Sequence, residues 1–324
     1  MSAPALEVME PGFLSTVQDL GRKGYFAAGI PPSGAFDRFA LRVGNLLVGN
    51  PPGEAGIEMT LMGGRFRALR AAVIAITGAD MGATLDGAPL PRWEAVPVRA
   101  GSELAFGVAQ TGCRAYLCPA GGVDVPSVLG SKSTYLIGKI GGVRGRPLRA
   151  GDRLDVAPGA RATAGHRLRP SLIPSYGSEV ELRVLLGPQD DHVAQASVRT
   201  FLSAPYKVSS KADRVGYRFE GAEFQFRERA KAVEAGSDPS NIVDDGNAIG
   251  AIQIPGGKEA ICMGPDGVSM GGYVKIACLI AADLERMAQA KPWDIARFRA
   301  VAHAEATAAL RDSLARASEA SLVK

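Results

Sequence analysis

The sequence predicts a mainly β protein with a few helices, built as two β-rich halves. Glycine supplies 40 of the 324 residues, and glycines serve the tight turns that join strands. Short apolar runs with period-two alternation recur between these turns. Strand and helix signals also lack the regular β–α order of a doubly wound sheet. A chain of this length can form one large or two medium domains, either with a substantial core.

The opening stretch, PGFLSTVQDLGRKGYFAAGIPPSGAFD, is punctuated by glycines and a Pro31–Pro32 pair. A helix follows, with Phe36, Phe39, Ala40, Val43, Leu46 and Leu47 on one face of a 3.6-residue period. Ser33 is placed to cap its start, and Gly49–Asn50–Pro51–Pro52 stops it. From Ile57 to Val156, β-like runs alternate with turns: ALRAAVIAITGAD, ATLDGAPL, AVPVRAGSELAFG and CRAYLCPAGG. RAGSELAFG and RAGDRLDVAPG share R-A-G-[SD]-x-L after a Gly-x-Pro-Leu turn, and read as two similar hairpins. Residues 157–178 are polar and rich in Pro, Gly and Ala, which suits a linker. The halves are therefore set at 1–165, with one helix, and 166–324, with a C-terminal helix.

In the second half ELRVLLGPQ reads as a strand, DDHVAQASVRTFLSAPY as a helix entering a turn, and VGYRFEGAEFQFRE as a hairpin. DLERMAQA and AHAEATAALRDSLARA are helical, with KPWDIARFRAV between them as the last strand. Composition is ordinary for a globular protein, 46% hydrophobic and 22% charged. A net charge of +4 with 6% aromatics offers neither a phosphate-tracking patch nor a stacking platform, which argues against nucleic acid. No apolar run reaches the ~20 residues of a membrane-spanning helix, and the start lacks a signal-peptide pattern, so the expected location is the cytoplasm. Cys113, Cys118, Cys262 and Cys278 are scattered and read as reduced, mostly buried thiols. Three histidines without carboxylates at ligand spacing predict no metal site.

Chemistry concentrates in Pro239–Ala277, where two glycine-rich loops carry Asn241, Asp244, Asp245, Asp266, Ser269 and Lys275 beside short apolar strands. Main chain at glycine can approach a ligand closely, so the stretch reads as a binding surface on a rigid scaffold. GVSMG matches a nucleophile elbow, with Asp294 and His303 downstream. An elbow needs strand–turn–helix, however, and YVKIACLIAA reads as a strand, so Ser269 is expected to bind ligand rather than attack it. GSKST fails the phosphate-loop pattern; Ser131 and Ser133 are read instead as offering hydroxyls to an anion. His192 beside two aspartates reads as a solvated cap. Asp37, Gln189, Arg214, Gln253 and Lys275 each sit in a tight glycine context. Together they fit a pocket for a planar amide-like or carboxylate ligand. Alternation along YVKIACLI places Tyr273, Lys275 and Ala277 on one face; the plainer alternative for Lys275 is an edge lysine with its head in water.

In order, VQDLGRKGYFAAGIPPSGAFD, NLLVGN, ITGADM, GSKSTY, LLGPQDD, DRVGYRFEG, GAIQIP and GGYVKIA resemble the motifs of the biotin-dependent carboxyltransferase family. That family, also called allophanate hydrolase subunit 2, includes KipA-type proteins, the C subunit of 5-oxoprolinase and part of urea carboxylase. The resemblance spans roughly residues 10–302. It implies a cyclophilin-like β-barrel in the C-terminal half and a subunit-1 (KipI-type) partner. PSNIVDD and PDGVSMGG look more like the urea carboxylase branch than the 5-oxoprolinase branch, which reads close to ADRQTTGGYPKIA.

The resemblance further implies carboxyl transfer from carboxybiotin to a urea-like or amide acceptor. No Met-Lys-Met biotinylation signature is present, so the biotin would arrive on another polypeptide. Biotin carboxylase and biotin carrier protein would be further partners, and ATP would be used by the complex rather than bound by this chain. Amides at Gly271 and Gly272 would stabilise the ureido oxygen. Lys275 or Arg214 would hold the carboxylate, and Asp266, Asn241 or Gln189 would hold and deprotonate the acceptor. Gln253, Ser269, Asp37, Ser131 and Ser133 complete the candidate binding set. Two other functions are compatible with the family: a subunit of an ATP-dependent 5-oxoprolinase-type amidohydrolase, and a KipA-like regulator that antagonises its partner.

Overall fold

A computed structural model of the chain describes residues 3–158, 164–229 and 235–324. Contacts divide the chain into two units: Met1–Lys23, Ser33–Tyr176 and Ser313–Lys324 form one, Gly24–Pro32 and Gly177–Asp312 the other. Residues 166–176 thus fall in the first unit, and residues 159–163 of the expected linker lie outside the described residues.

The first twelve strands are β1 (Ala3–Glu10), β2 (Leu14–Gln18), β3 (Gly56–Thr60), β4 (Arg65–Ala68), β5 (Ala72–Asp80), β6 (Thr84–Leu85), β7 (Ala88–Pro89), β8 (Ala95–Val98), β9 (Glu103–Ala105), β10 (Thr111–Pro119), β11 (Arg153–Val156) and β12 (Arg167–Leu168). The rest are β13 (Glu179–Leu186), β14 (Tyr206–Val208), β15 (Gly216–Glu220), β16 (Asn241–Gly246), β17 (Ala251–Gln253), β18 (Glu259–Met263), β19 (Met270–Tyr273), β20 (Lys275–Leu279), β21 (Ile295–Ala300) and β22 (Leu322–Val323). The α-helices are α1 (Arg38–Leu47), α2 (Gln195–Ser203), α3 (Leu284–Gln289) and α4 (His303–Arg316).

The first unit packs a six-stranded sheet, β11-β1-β4-β9-β6-β7, with a five-stranded one, β2-β3-β10-β5-β8. Alternation along β5 and β10 explains how. Ile74, Ile76, Ala115 and Leu117 enter one core with Leu6, Val8, Phe66 and Leu104 of the other sheet. Their neighbours Ala75, Tyr116 and Cys118 point the other way, into a second core with Phe39, Val43 and Leu47 of α1. The five-stranded sheet is therefore buried on both faces. Gly44 lets α1 approach it closely, since a Cβ there would lie 2.7 Å from Cys118 Sγ.

The helix forms where the apolar period places it, but its cap differs. Asp37, not Ser33, is the N-cap and accepts from Ala40 N at 2.9 Å. Ser33 has φ 55°, four positions too early. The R-A-G echo is also structural, though neither copy makes the expected hairpin. Gly101 and Gly151 adopt φ 87° and 86°, and each amide donates to a neighbouring strand, to Ala68 O and Val8 O. The turns lead into β9 and β11, two strands of the same sheet.

The second unit is a closed seven-stranded barrel, β13-β20-β17-β18-β15-β14-β21, as expected for this half. The parallel pair β13–β21 closes it. Phe201 of α2 stacks on Phe298 at 4.5 Å between centroids, and Phe219 meets Phe298 edge-on at 5.2 Å. VGYRFEGAEFQFRE supplies one strand rather than a hairpin: β15 pairs with β14 and β18, and Phe226 makes only an isolated bridge to Val193. β21 is not the last strand either, since β22 returns to pair with β12 in the first unit. Beside the barrel, β16 and β19 form a separate two-stranded ribbon. No helix among the described residues is long and apolar enough to cross a membrane.

Candidate functional site

The predicted strand YVKIACLI breaks at Val274, whose amide donates to Ser240 O at 2.8 Å. Tyr273 stays on the ribbon, paired with Asn241 and 41% exposed, while Lys275 opens β20 and is 1% exposed. β20 lies between β13 and β17, so Lys275 is an interior lysine and not an edge one. Gln253 sits opposite it on β17.

Gln189, just past β13, clasps this position from the other side. Its amide donates to Lys275 O, and its Oε1 accepts from Lys275 N, both at 3.0 Å. The Lys275 ammonium forms an ion pair with Asp245 of the ribbon, Nζ to Oδ2 3.0 Å. Gln189 Nε2 donates to the same oxygen at 3.3 Å. The lysine beside it and the Gly246 amide hold the Asp245 carboxyl below its usual range.

Asp245 faces Gly271 across the ribbon. A Cβ on Gly271 would lie 2.7 Å from Gln253 Nε2 and 2.9 Å from Asn247 Nδ2, so only a glycine lets the ribbon backbone pack this closely against the two side-chain amides. Gln253 Nε2 donates to Asn247 Oδ1 at 2.9 Å, which leaves Asn247 Nδ2 against Gly271. This buried Nδ2 has no acceptor among the described residues. Gly272 backs onto Asp244, whose Oδ1 would lie 2.8 Å from a Cβ there.

Lys275, Gln189, Gln253 and Gly271 are thus brought together with Asp245 and Asn247. Asn241 lies on the same ribbon, its carbonyl held by Arg229 at 2.6 Å. Ser269 leads into the ribbon, and its carbonyl accepts from Asn247 N at 2.8 Å. Asp294 is occupied by Lys291, and His303 contacts Thr307, so no Ser–His–Asp relay forms around Ser269. Arg214 and Asp266 pair with each other, Nε to Oδ2 2.9 Å and Nη2 to Oδ1 3.1 Å, both almost fully buried. They lie beyond the β18 end that adjoins Gly250, whereas Lys275 aligns with the opposite end of β17. His192 is held by the Arg229 guanidinium.

The remaining candidates belong to the first unit. Ser131 Oγ donates to Asp19 Oδ1 at 2.7 Å, and Ser133 Oγ donates to the same oxygen. The Lys132 and Gly21 amides also donate to this carboxylate. Here the serines pin one loop to another. Asp37 caps α1 and donates its amide to Tyr116 Oη, which in turn donates to buried Glu58 at 2.7 Å. Among the described residues no group of three His, Cys, Asp or Glu is placed to hold a metal.

The profile of the carboxyltransferase domain, subdomain A and B, matches residues 28–300. Urea amidolyase of Saccharomyces cerevisiae is 36% identical over 318 residues, which cover 95% of this chain but 17% of the yeast protein. The C subunit of Escherichia coli 5-oxoprolinase is 36% identical over 284 residues, covering 88% of this chain and 87% of that protein. The crystal structure of Kluyveromyces lactis urea carboxylase superimposes with a TM-score of 0.92 at 32% identity, over 100% of this chain and 30% of that one. The chain therefore spans a small part of the fungal enzymes and nearly the full length of the bacterial protein.

Proposed function

From the premise that this chain belongs to the carboxyltransferase domain family, subdomains A and B, we propose that it is one subunit of a heteromeric, biotin-dependent carboxyltransferase acting on a urea-like or amide acceptor. The observation that carries this reading is the Lys275 cluster: a buried ammonium and a buried amide donor with spare protons, close to the Gly271 backbone. Such a donor-rich set fits the carboxylate and ureido oxygen of carboxybiotin delivered on another polypeptide, and that group would supply the carboxyl being moved. Lys275 neutralises a carboxylate, and Asn247 Nδ2 with the Gly271–Gly272 main chain offers N–H groups to an oxygen that gains charge. Half-buried Gln189 and Asn241 are placed to orient an acceptor amine or amide. The buried Arg214–Asp266 pair supports the Gly267–Ser269 loop, since Asp266 N also donates to Arg214 O at 3.1 Å.

A second reading, a subunit of an ATP-dependent 5-oxoprolinase-type amidohydrolase, draws support from the near end-to-end match to the bacterial 5-oxoprolinase proteins. Against it stands GPDGVSMGGYVKIA, which departs from that branch. The deciding experiment reconstitutes the chain with a subunit-1-type partner and follows ATP consumption with urea or with 5-oxoproline, with and without biotinylated carrier and biotin carboxylase. Urea-dependent turnover that requires the carrier supports carboxyl transfer. Turnover with 5-oxoproline and no carrier selects the amidohydrolase. Activity with neither, joined to inhibition of the partner, would make the chain a KipA-like regulator.

A further inference from the structure

We propose that Asp245 is a resident counter-ion, displaced from Lys275 when the carboxylate of a small ligand takes its place. The proposal rests on the Lys275 cluster being the ligand site and adds how that site is kept in waiting. The two partners of the ion pair are unequally buried: the Lys275 side chain is 2% exposed, that of Asp245 52%. Removing a counter-ion from a buried ammonium is costly, because the charge stays out of water. Releasing a half-exposed carboxylate into water costs little. The pair is therefore stable against simple opening but open to exchange, one carboxylate for another.

The surroundings favour exchange over a permanent lock. An ammonium has three donors, and beyond its ion pair with Asp245 this one has no hydrogen-bond partner among the described residues. Asp245 lies on the ribbon outside the barrel and faces Gly271. Buried Asn247 Nδ2, which has no acceptor among the described residues, and Gln253 Nε2 pack against the Gly271 backbone. A carboxylate or carbamate that replaced Asp245 on the ammonium would approach the Asn247 donor that Asp245 leaves unused. Gln189 Nε2, now on Asp245 Oδ2, would be released together with Asp245.

The test uses the purified chain and direct binding. Acetate is the probe and acetamide its neutral counterpart, followed by calorimetry and by the side-chain amide resonance of Asn247. The expected result is weak acetate binding that shifts the Asn247 resonance, with no response to acetamide. Asp245→Asn should tighten acetate about tenfold if the native carboxylate holds the ammonium about nine-tenths of the time, and Lys275→Met should abolish binding. Asp245→Ala is the second variant, and a melting curve for each checks that the fold persists. Equal or weaker acetate binding in folded Asp245→Asn and Asp245→Ala would overturn the proposal, as would acetate binding that survives Lys275→Met. Because no turnover is read, a complex that fails to carboxylate urea would refute the carboxyltransferase reading and leave displacement standing.

Discussion

Lys275 is the residue on which the most depends, because its charge is buried inside a barrel strand and its counter-ion sits half in water. If it holds a carboxylate in the transition state, Lys275→Met should cost ~2–4 kcal/mol of transition-state stabilisation while folding is largely kept. Lys275→Arg should recover only part, since a planar fork does not replace a compact charge in a tight site. Steady-state kinetics of both variants in the reconstituted complex check this, and wild-type turnover in Lys275→Met would remove the lysine from the site. Ser269→Ala should weaken activity only modestly, and a fluorophosphonate should not label Ser269, because neither Asp294 nor His303 is placed to activate it. The thiols give an independent check on the core. Burial pushes Cys118 up to about 12 and raises Cys262 and Cys278, so all three remain protonated in neutral and mildly alkaline buffer. Native protein should react slowly with a thiol reagent, half-buried Cys278 first, and all four cysteines should react on denaturation. At this scale the sequence was readable where glycine marked the place: Lys275, Gln189, Gln253 and Gly271 share a tight context and meet in space. The same signal picked out Arg214 and Asp266, whose charges answer each other. Asn247 and the pairing of Asp245 with Lys275 were not readable, because they depend on a ribbon that folds Asp245 back over a residue thirty positions later.

At the scale of the element, local rules held where an element answers to its own sequence and failed where pairing is long-range. The face of α1 and the alternation of β5 and β10 are local, and both appear as the pattern dictates. VGYRFEGAEFQFRE alternates equally well, yet β15 takes its partners from β14 and β18 across the barrel, since period two fixes which face is buried but not which strand is the neighbour. The cap of α1 was misplaced because Ser33 and Asp37 are both good capping types, and only backbone angles choose between them. Asp37→Ala should therefore destabilise the chain by about 1 kcal/mol or more, whereas Asp37→Asn, an equally good cap, should stay near wild type. Chemical denaturation of both variants measures this. If Asp37→Asn abolished binding in a folded protein, the residue would belong to a ligand site rather than to the helix. The second R-A-G turn carries a pH dependence. Asp152 accepts from both Arg146 nitrogens at 2.8 Å and from Arg149 N, which lowers its pKa. A lowered folded value stabilises the turn above the ordinary carboxylate range, and that contribution fades as pH falls through the lowered value. Melting curves of Asp152→Asn should differ from wild type at neutral pH and converge with it in acid.

At the scale of the whole molecule, the chain offers binding donors and apolar surface but an incomplete catalytic set. The Lys275 cluster holds an ammonium, amides and one carboxylate already paired, with neither a histidine nor an activated nucleophile among its described members. The first unit exposes Phe13 (66%), Met62 (41%) and Val108 (67%), which adjoin one another through the Phe13–Met62 hydrogen bond and the Met62–Val108 bridge. On the ribbon of the second unit, Val243, Met270 and Tyr273 are exposed, with Val268 just before it. Exposed apolar groups that cluster mark sites of association more often than groups scattered singly, and the Escherichia coli relative is named as a subunit. The prediction is that the chain does not turn over alone. Co-expression with a subunit-1-type protein should give a stable hetero-complex burying more than ~1,000 Å², and hydrogen exchange should slow at Phe13–Met62 or at the β16–β19 ribbon on binding. A charge introduced at one of these patches, such as Met62→Glu or Met270→Glu, should weaken the complex without shifting the melting temperature of the isolated chain, since these side chains face water there. An isolated chain that turned over at the rate of the complex would overturn the prediction, and so would a complex in which neither patch was protected.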